Sequence, residues 1–77
     1  MGLVEVYGKN NCPSCIMLVR WLDENNVRFE YNNVGEYPDL AVELMLRTGN
    51  PTLPQFRYEG SWYAGFDIER LRKIFKR

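Results

Sequence analysis

The chain has 77 residues, 45% of them apolar and 14% aromatic, which is enough for one small core and too little for two, so a single domain over 1–77 is expected. That composition excludes a disordered or low-complexity chain. Ten basic and ten acidic residues cancel to zero net charge, leaving no broad field to grip phosphate backbones or anionic lipid, so neither nucleic acid nor a membrane surface is an expected partner.

Leu3-Val4-Glu5-Val6-Tyr7 is rich in β-formers and ends at Gly8, and it reads as a first strand with Val4 and Val6 on one buried face. It follows directly on Met1-Gly2, with no signal peptide, and no apolar run nears the roughly 20 residues a membrane span needs; a cytoplasmic protein is expected. Lys9-Asn10-Asn11-Cys12-Pro13-Ser14-Cys15 then forms a strand-to-helix loop. Pro13 suits the first helical position, where its missing N–H costs nothing, and Ile16, Val19 and Leu22 recur at helical spacing toward a stop near Asn25-Asn26. Val27-Arg28-Phe29-Glu30-Tyr31 alternates apolar and polar residues as a half-buried strand, and the helical connection makes it parallel to the first.

Pro38 opens a second helix with Leu40, Ala41, Leu44 and Met45 as its inner face and Gly49 as its stop. Asn50-Pro51-Thr52-Leu53-Pro54 is a shaped loop, since two prolines remove donors and restrict the residues before them. Gln55-Phe56-Arg57-Tyr58 and Ser61-Trp62-Tyr63-Ala64 flank Glu59-Gly60 as a hairpin. Asp67 caps a last helix with Ile68, Leu71, Ile74 and Phe75 as its stripe. Arg70, Arg72, Lys73, Lys76 and Arg77 read as the solvated face of that helix, and the seven Trp and Tyr residues as packing rather than a base-stacking surface. The order is β-α-β-α-β-β-α, an α/β fold with a four-stranded mixed sheet flanked by three helices.

The only two cysteines, Cys12 and Cys15, stand two residues apart at the start of the first helix. Unpaired N–H groups and the positive end of the helix dipole favour thiolate there, and a Cys-X-X-Cys thiol so placed falls from about 8.5 to between roughly 3.5 and 7.5. Lys9 adds a nearby positive charge. Cys12 is thus the candidate nucleophile and Cys15, one turn deeper, the resolving thiol of a disulfide exchange. Half of a zinc site and an inert structural pair are the competing readings; the chain has no histidine and no further cysteine to complete a four-ligand zinc site, and no metal is expected.

In Lys9-X-X-Cys12-Pro13-Ser14-Cys15, Thr52-Leu53-Pro54-Gln55 and Gly65-Phe66-Asp67, taken in this order and spacing, the chain resembles the glutaredoxin family, a branch of the thioredoxin fold. The resemblance runs over nearly its whole length. It implies a monomeric thiol-disulfide oxidoreductase with no bound cofactor, protein disulfides as substrates and glutathione as reductant. It also implies that Pro54 is a cis-proline beside the cysteines, leaving the Leu53 backbone to pair with an extended peptide or glutathione. By the same likeness Lys9 contacts a glutathione carboxylate, Thr52 lines the groove, the Phe66 N–H and Asp67 hold the γ-glutamyl end, and Pro13, Ser14 and Gly65 border the site.

Ser14 stands where many of the family have tyrosine, Pro51 where an arginine often precedes the threonine, and Ala64 where a glycine is common. These departures weaken the grip on glutathione and leave disulfide chemistry intact. They open a second reading, a glutaredoxin-like redoxin that serves ribonucleotide reductase and is recycled by thioredoxin reductase. A third, an iron–sulfur or metal carrier built on Cys12 and glutathione, is opposed by Pro13, since cluster-holding glutaredoxins usually lack that proline.

Overall fold

Val4 and Val6 lie on the strand around which the rest is laid, β1 (Val4–Gly8). In a computed structural model, which describes residues 2–77, both are fully buried on one face of the sheet. The opening Met1 lies outside the described residues. After β1 come α1 (Pro13–Glu24), β2 (Phe29–Asn33), α2 (Pro38–Thr48), β3 (Gln55–Tyr58), β4 (Ser61–Ala64) and α3 (Ile68–Phe75). The expected order is therefore found, in a four-stranded mixed sheet of order β2-β1-β3-β4 with three helices.

β1 pairs parallel with β2, as a helical crossover requires, and antiparallel with β3, which pairs antiparallel with β4. Glu59 and Gly60 both take positive φ, 50° and 83°, so the hairpin turn has the mirror-image form whose twist matches its strands. Leu18 and Leu22 of α1 pack with Val4, Val6, Phe56 and with Leu71 and Phe75 of α3 in one core cluster. Tyr7 alternates to the other face, where Glu43 and Arg47 of α2 act on its phenol.

The helix stops follow local rules. Asn26 takes φ 58°, Val27 N–H bonds to the Leu22 carbonyl at 2.8 Å and Asn26 N–H to that of Asp23 at 3.1 Å, a complete Schellman closure of α1. Gly49, at φ 67°, closes α2 by donating to the Met45 carbonyl.

Several expectations need correcting. The buried positions of α1 are Cys15, Leu18 and Leu22, and Ile16 is 52% exposed. The apolar stripe runs through the second cysteine, which the hydrophobic pattern read by itself had passed over. The second strand begins at Phe29 rather than Val27, because Val27 is spent on closing α1. On α2, Leu44 is buried with Leu40 and Ala41 beside it half-buried, while Met45, a further 100° round the helix, is exposed. Ile68 in the first turn of α3 is likewise exposed. Arg70 is not a solvated cation: its guanidinium donates to the Ala64 and Gly65 carbonyls and lies 5.8 Å from the centre of the Tyr63 ring.

Candidate active site

Cys12 is the N-cap of α1, its backbone extended at φ −118° and ψ 100°, with Pro13 as the first helical residue. The loop reaches it through Asn11, whose φ of 57° is a left-handed conformation that asparagine tolerates better than most residues. Cys12 Sγ accepts a hydrogen bond from the Cys15 N–H at 3.3 Å, and Ser14 Oγ lies 3.7 Å away. The sulfur thus takes the place of a capping oxygen, at the end of a helix where negative charge is favoured. Cys12 and Cys15 are joined as a disulfide with Cα atoms 5.2 Å apart; Cys12 keeps 8% of its surface exposed and Cys15 none. The outer sulfur is the more accessible of the two.

The redox loop is tied down from the β2 side. Val34 N–H donates to the Gly8 carbonyl at 2.9 Å, Asn33 Nδ2 to Asn10 Oδ1 at 3.1 Å, and Tyr31 Oη to the Lys9 carbonyl at 3.4 Å. Asn33 Oδ1 also accepts from the N–H groups of Gly35 and Glu36, so one side chain holds the turn after β2 against the redox loop.

The Leu53–Pro54 peptide bond is cis, as the family likeness implies, and Pro54 is buried. Gln55, 2% exposed, donates through Nε2 to the Asn50 and Thr52 carbonyls, and Asn50 Oδ1 accepts from the Thr52 N–H, so the loop before the proline is braced from beneath. Gly65 N–H donates to the Pro54 carbonyl at 2.8 Å, fastening the β4–α3 corner to the proline segment. Gly65 takes φ 82°, where a side chain would be strained. Phe66 packs partly buried against the core, and exposed Asp67 caps α3, its Oδ1 accepting from Glu69 and Arg70 N–H at 3.0 and 3.3 Å.

Hydrogen bonds therefore join the Thr52–Pro54 loop to the Gly65–Asp67 corner. Lys9 lies on the other flank, lining a groove of about 610 Å3 with Asn10, Asn11, Cys15, Ile16, Val19 and Tyr31, and with none of Thr52, Leu53, Pro54, Phe66 or Asp67. Burial raises the Tyr31 phenol above its ordinary value, and burial followed by the negative charges of Glu5 and Glu43 raises that of Tyr7. Among the described residues no three His, Cys, Asp or Glu side chains converge as metal ligands. Sequence reasoning missed Gly8, Tyr31, Asn33 and Arg70; Gly8 alone carried a readable signal, as a glycine where a strand meets a reactive loop.

The family model for glutaredoxin matches residues 4–62. The glutaredoxin-like protein NrdH of Lactococcus lactis subsp. lactis (strain IL1403) is 33% identical over 72 residues, 94% of this chain and 99% of its own. Among solved structures, the thioredoxin-like protein BC3987 superposes with a TM-score of 0.84 at 30% identity, covering 92% of this chain and 97% of its own. The glutaredoxin-like NrdH-redoxin of Escherichia coli does so with 0.84 at 23% identity over 95% of each chain, a likeness of fold. No helix among the described residues is long and apolar enough to cross a membrane. With a cysteine pair whose outer member caps α1, a cis Leu53–Pro54 bond and these relatives, the chain belongs to the glutaredoxin family and is a dithiol-disulfide oxidoreductase, with disulfide substrates and a reductase as its partners.

Proposed function

We propose that Cys12 is the attacking thiolate and Cys15 the resolving thiol in the reduction of protein disulfides or glutathione mixed disulfides. Cys12 attacks one substrate sulfur and the other leaves as a thiolate with the bonding pair, which takes up a proton from water. Cys15 then loses its proton and attacks Cys12, forming the intramolecular disulfide and releasing the reduced substrate. A further dithiol or two molecules of glutathione reopen that bridge. The observation that carries this reading is the Cys15 N–H directed at Cys12 Sγ: the donor stabilises charge on the outer sulfur, where exposure lets a substrate arrive.

The groove is proposed from the resemblance together with what the fold offers. The Leu53 backbone lies outside the β3 ladder, which begins at Gln55, and is free to add a substrate strand beside Pro54. Thr52 and Gly65 border that strand, the Phe66 N–H and Asp67 lie at a helix N-terminus suited to a carboxylate-bearing end, and Pro13 and Ser14 form the lip beside Cys12. Lys9 supplies the cation on the opposite flank. No resident cofactor is needed, and the chain works as a monomer in the cytoplasm.

A second reading concerns the electron donor. The likeness to the NrdH relatives, together with this chain's own Ser14, Pro51 and Ala64 in place of groove residues common in glutaredoxins, favours a redoxin recycled by thioredoxin reductase and serving ribonucleotide reductase. The E. coli NrdH-redoxin among the structural neighbours is described as having a thioredoxin-like activity profile. Two measurements test these assignments. Cys12→Ser should abolish all disulfide reduction, whereas Cys15→Ser should lose protein-disulfide reduction and keep glutathione mixed-disulfide activity; full activity in Cys12→Ser would sink the mechanism. Oxidised protein offered either glutathione, or NADPH with thioredoxin reductase, reports the donor by which reduces it faster.

A further inference from the structure

Beside Cys15 lies a close approach that none of these roles uses. Gly8 ends β1 without a side chain, and a Cβ placed there would lie 2.6 Å from Tyr31 Oη, 3.0 Å from Cys15 Sγ and 3.1 Å from Cys15 Cβ. The β2 phenol and the inner sulfur therefore both close on the one small space where a side chain at Gly8 would stand. The register makes this so: Tyr31 pairs with Val6, which turns its ring to the same face of the sheet as α1. Its hydroxyl is only loosely engaged, since 3.4 Å to the Lys9 carbonyl is long for an O–H donor. The groove lined by Lys9, Ile16, Val19 and Tyr31 brings water to the phenol, whereas Cys15 itself has no exposed surface.

We propose that Tyr31 is a positioning residue for the resolving step, its hydroxyl turning from the Lys9 carbonyl to donate a hydrogen bond to the Cys15 thiolate as it forms. The proposal rests on Cys15 being the resolving thiol. In that step the thiolate of Cys15 attacks Cys12 Sγ, and the S–H proton that Cys15 gives up ends on the departing substrate sulfur. One S–S bond forms between the cysteines while the bond from Cys12 to the substrate breaks, and the substrate sulfur leaves with the electron pair. The phenol keeps its own proton throughout. A fully buried thiol ionises reluctantly, so a donor aimed at its sulfur matters more here than at Cys12, which already has the Cys15 N–H and the helix N-terminus.

Other groups offer Cys15 little. Within a turn on α1 its neighbours besides Cys12 are Pro13, Ser14, Ile16, Met17, Leu18 and Val19, none of them charged; β1 presents Gly8, β2 presents Tyr31 and the redox loop Lys9. No carboxylate is among the residues that line the groove on this side. Cys12, Lys9 and Tyr31 are thus the titratable groups bordering this sulfur.

The test is stopped-flow reaction of the reduced protein with the aromatic disulfide DTNB, in which attack by Cys12 releases one thiolate and resolution by Cys15 releases a second. Tyr31→Phe should leave the first release unchanged, slow the second about tenfold at neutral pH and move its pH midpoint up by about one. In a Cys12→Ser background, the pH midpoint for modification of Cys15 by methyl methanethiosulfonate should rise when Tyr31→Phe is added. A second release with unaltered rate and pH midpoint in Tyr31→Phe overturns the proposal. A second release that persists in Cys15→Ser instead overturns the assignment of the resolving thiol, so the two failures are distinct.

Discussion

Asp67 caps α3, and the proposed groove gives the same carboxylate a second job. Its Oδ1 accepts from two N–H groups at the start of α3, and in the proposed groove the same side chain meets the γ-glutamyl end of glutathione. The jobs separate by substitution. Asp67→Ala should cost about 1 kcal/mol in urea unfolding, as loss of a capping side chain does, and Asp67→Asn should recover most of it, because an amide oxygen caps nearly as well. If the carboxylate also holds a glutathione ammonium group, Asp67→Asn should restore stability and yet leave the glutathione KM raised; equal KM values for wild type and Asp67→Asn would assign the residue to capping alone. Asp67 was legible in the sequence for the same reason that Cys12, Cys15 and Pro13 were: each acts within one helical turn of itself, where residue type and spacing carry the physics. Tyr31 was not, nor was its meeting with Gly8, because that meeting depends on which residue of β2 pairs with Val6, and pairing across strands leaves no mark within either strand.

At the scale of elements, the ends of α1 explain both what was readable and what slipped. Cys12 and Pro13 mark its start and Asn25-Asn26 its stop, all visible beforehand, yet the stop consumes Val27 and delays β2 to Phe29. The alternation survives because a delay of two residues keeps Phe29 and Tyr31 on the face first assigned to them. Asn26 at φ 58° bears the cost of this closure. Asn26→Gly should therefore raise stability by roughly 0.5 to 1 kcal/mol and Asn26→Ala should lower it by about 1 kcal/mol, read from urea midpoints at unchanged slope. Arg70 shows the opposite case. Its place in a basic run suggested solvent, but the corner between β4 and α3 exposes the Ala64 and Gly65 carbonyls, and a guanidinium one turn into the helix reaches both. That corner carries Phe66 and Asp67, so a residue assigned to the surface helps to shape the proposed groove.

Across the whole molecule, three loops from distant parts of the chain meet at one end of a sheet held by a single cluster, and Phe56 sits where the cluster's parts join. It is fully buried on β3, next to the central strand; its ring lies 5.0 Å from that of Tyr63 on β4 and 6.3 Å from that of Phe75 on α3, and it shares the cluster with Leu18 and Leu22 of α1. Truncating a buried phenylalanine costs about 3 to 5 kcal/mol, and a domain of this size is stable by only about 5 to 15 kcal/mol. Phe56→Ala should therefore lower the urea midpoint severely, and because the redox loop, the proline loop and the β4–α3 corner all hang on strands that Phe56 helps to seat, the loss should be shared. The measurement is amide hydrogen exchange: in Phe56→Ala, protection should fall together in β1, β3 and α1, and disulfide reduction should fade over the same urea range as the fold. Protection lost from the β3–β4 hairpin alone, with α1 and Cys12 reactivity untouched, would mean that the site stands on α1 and β1 without the shared core.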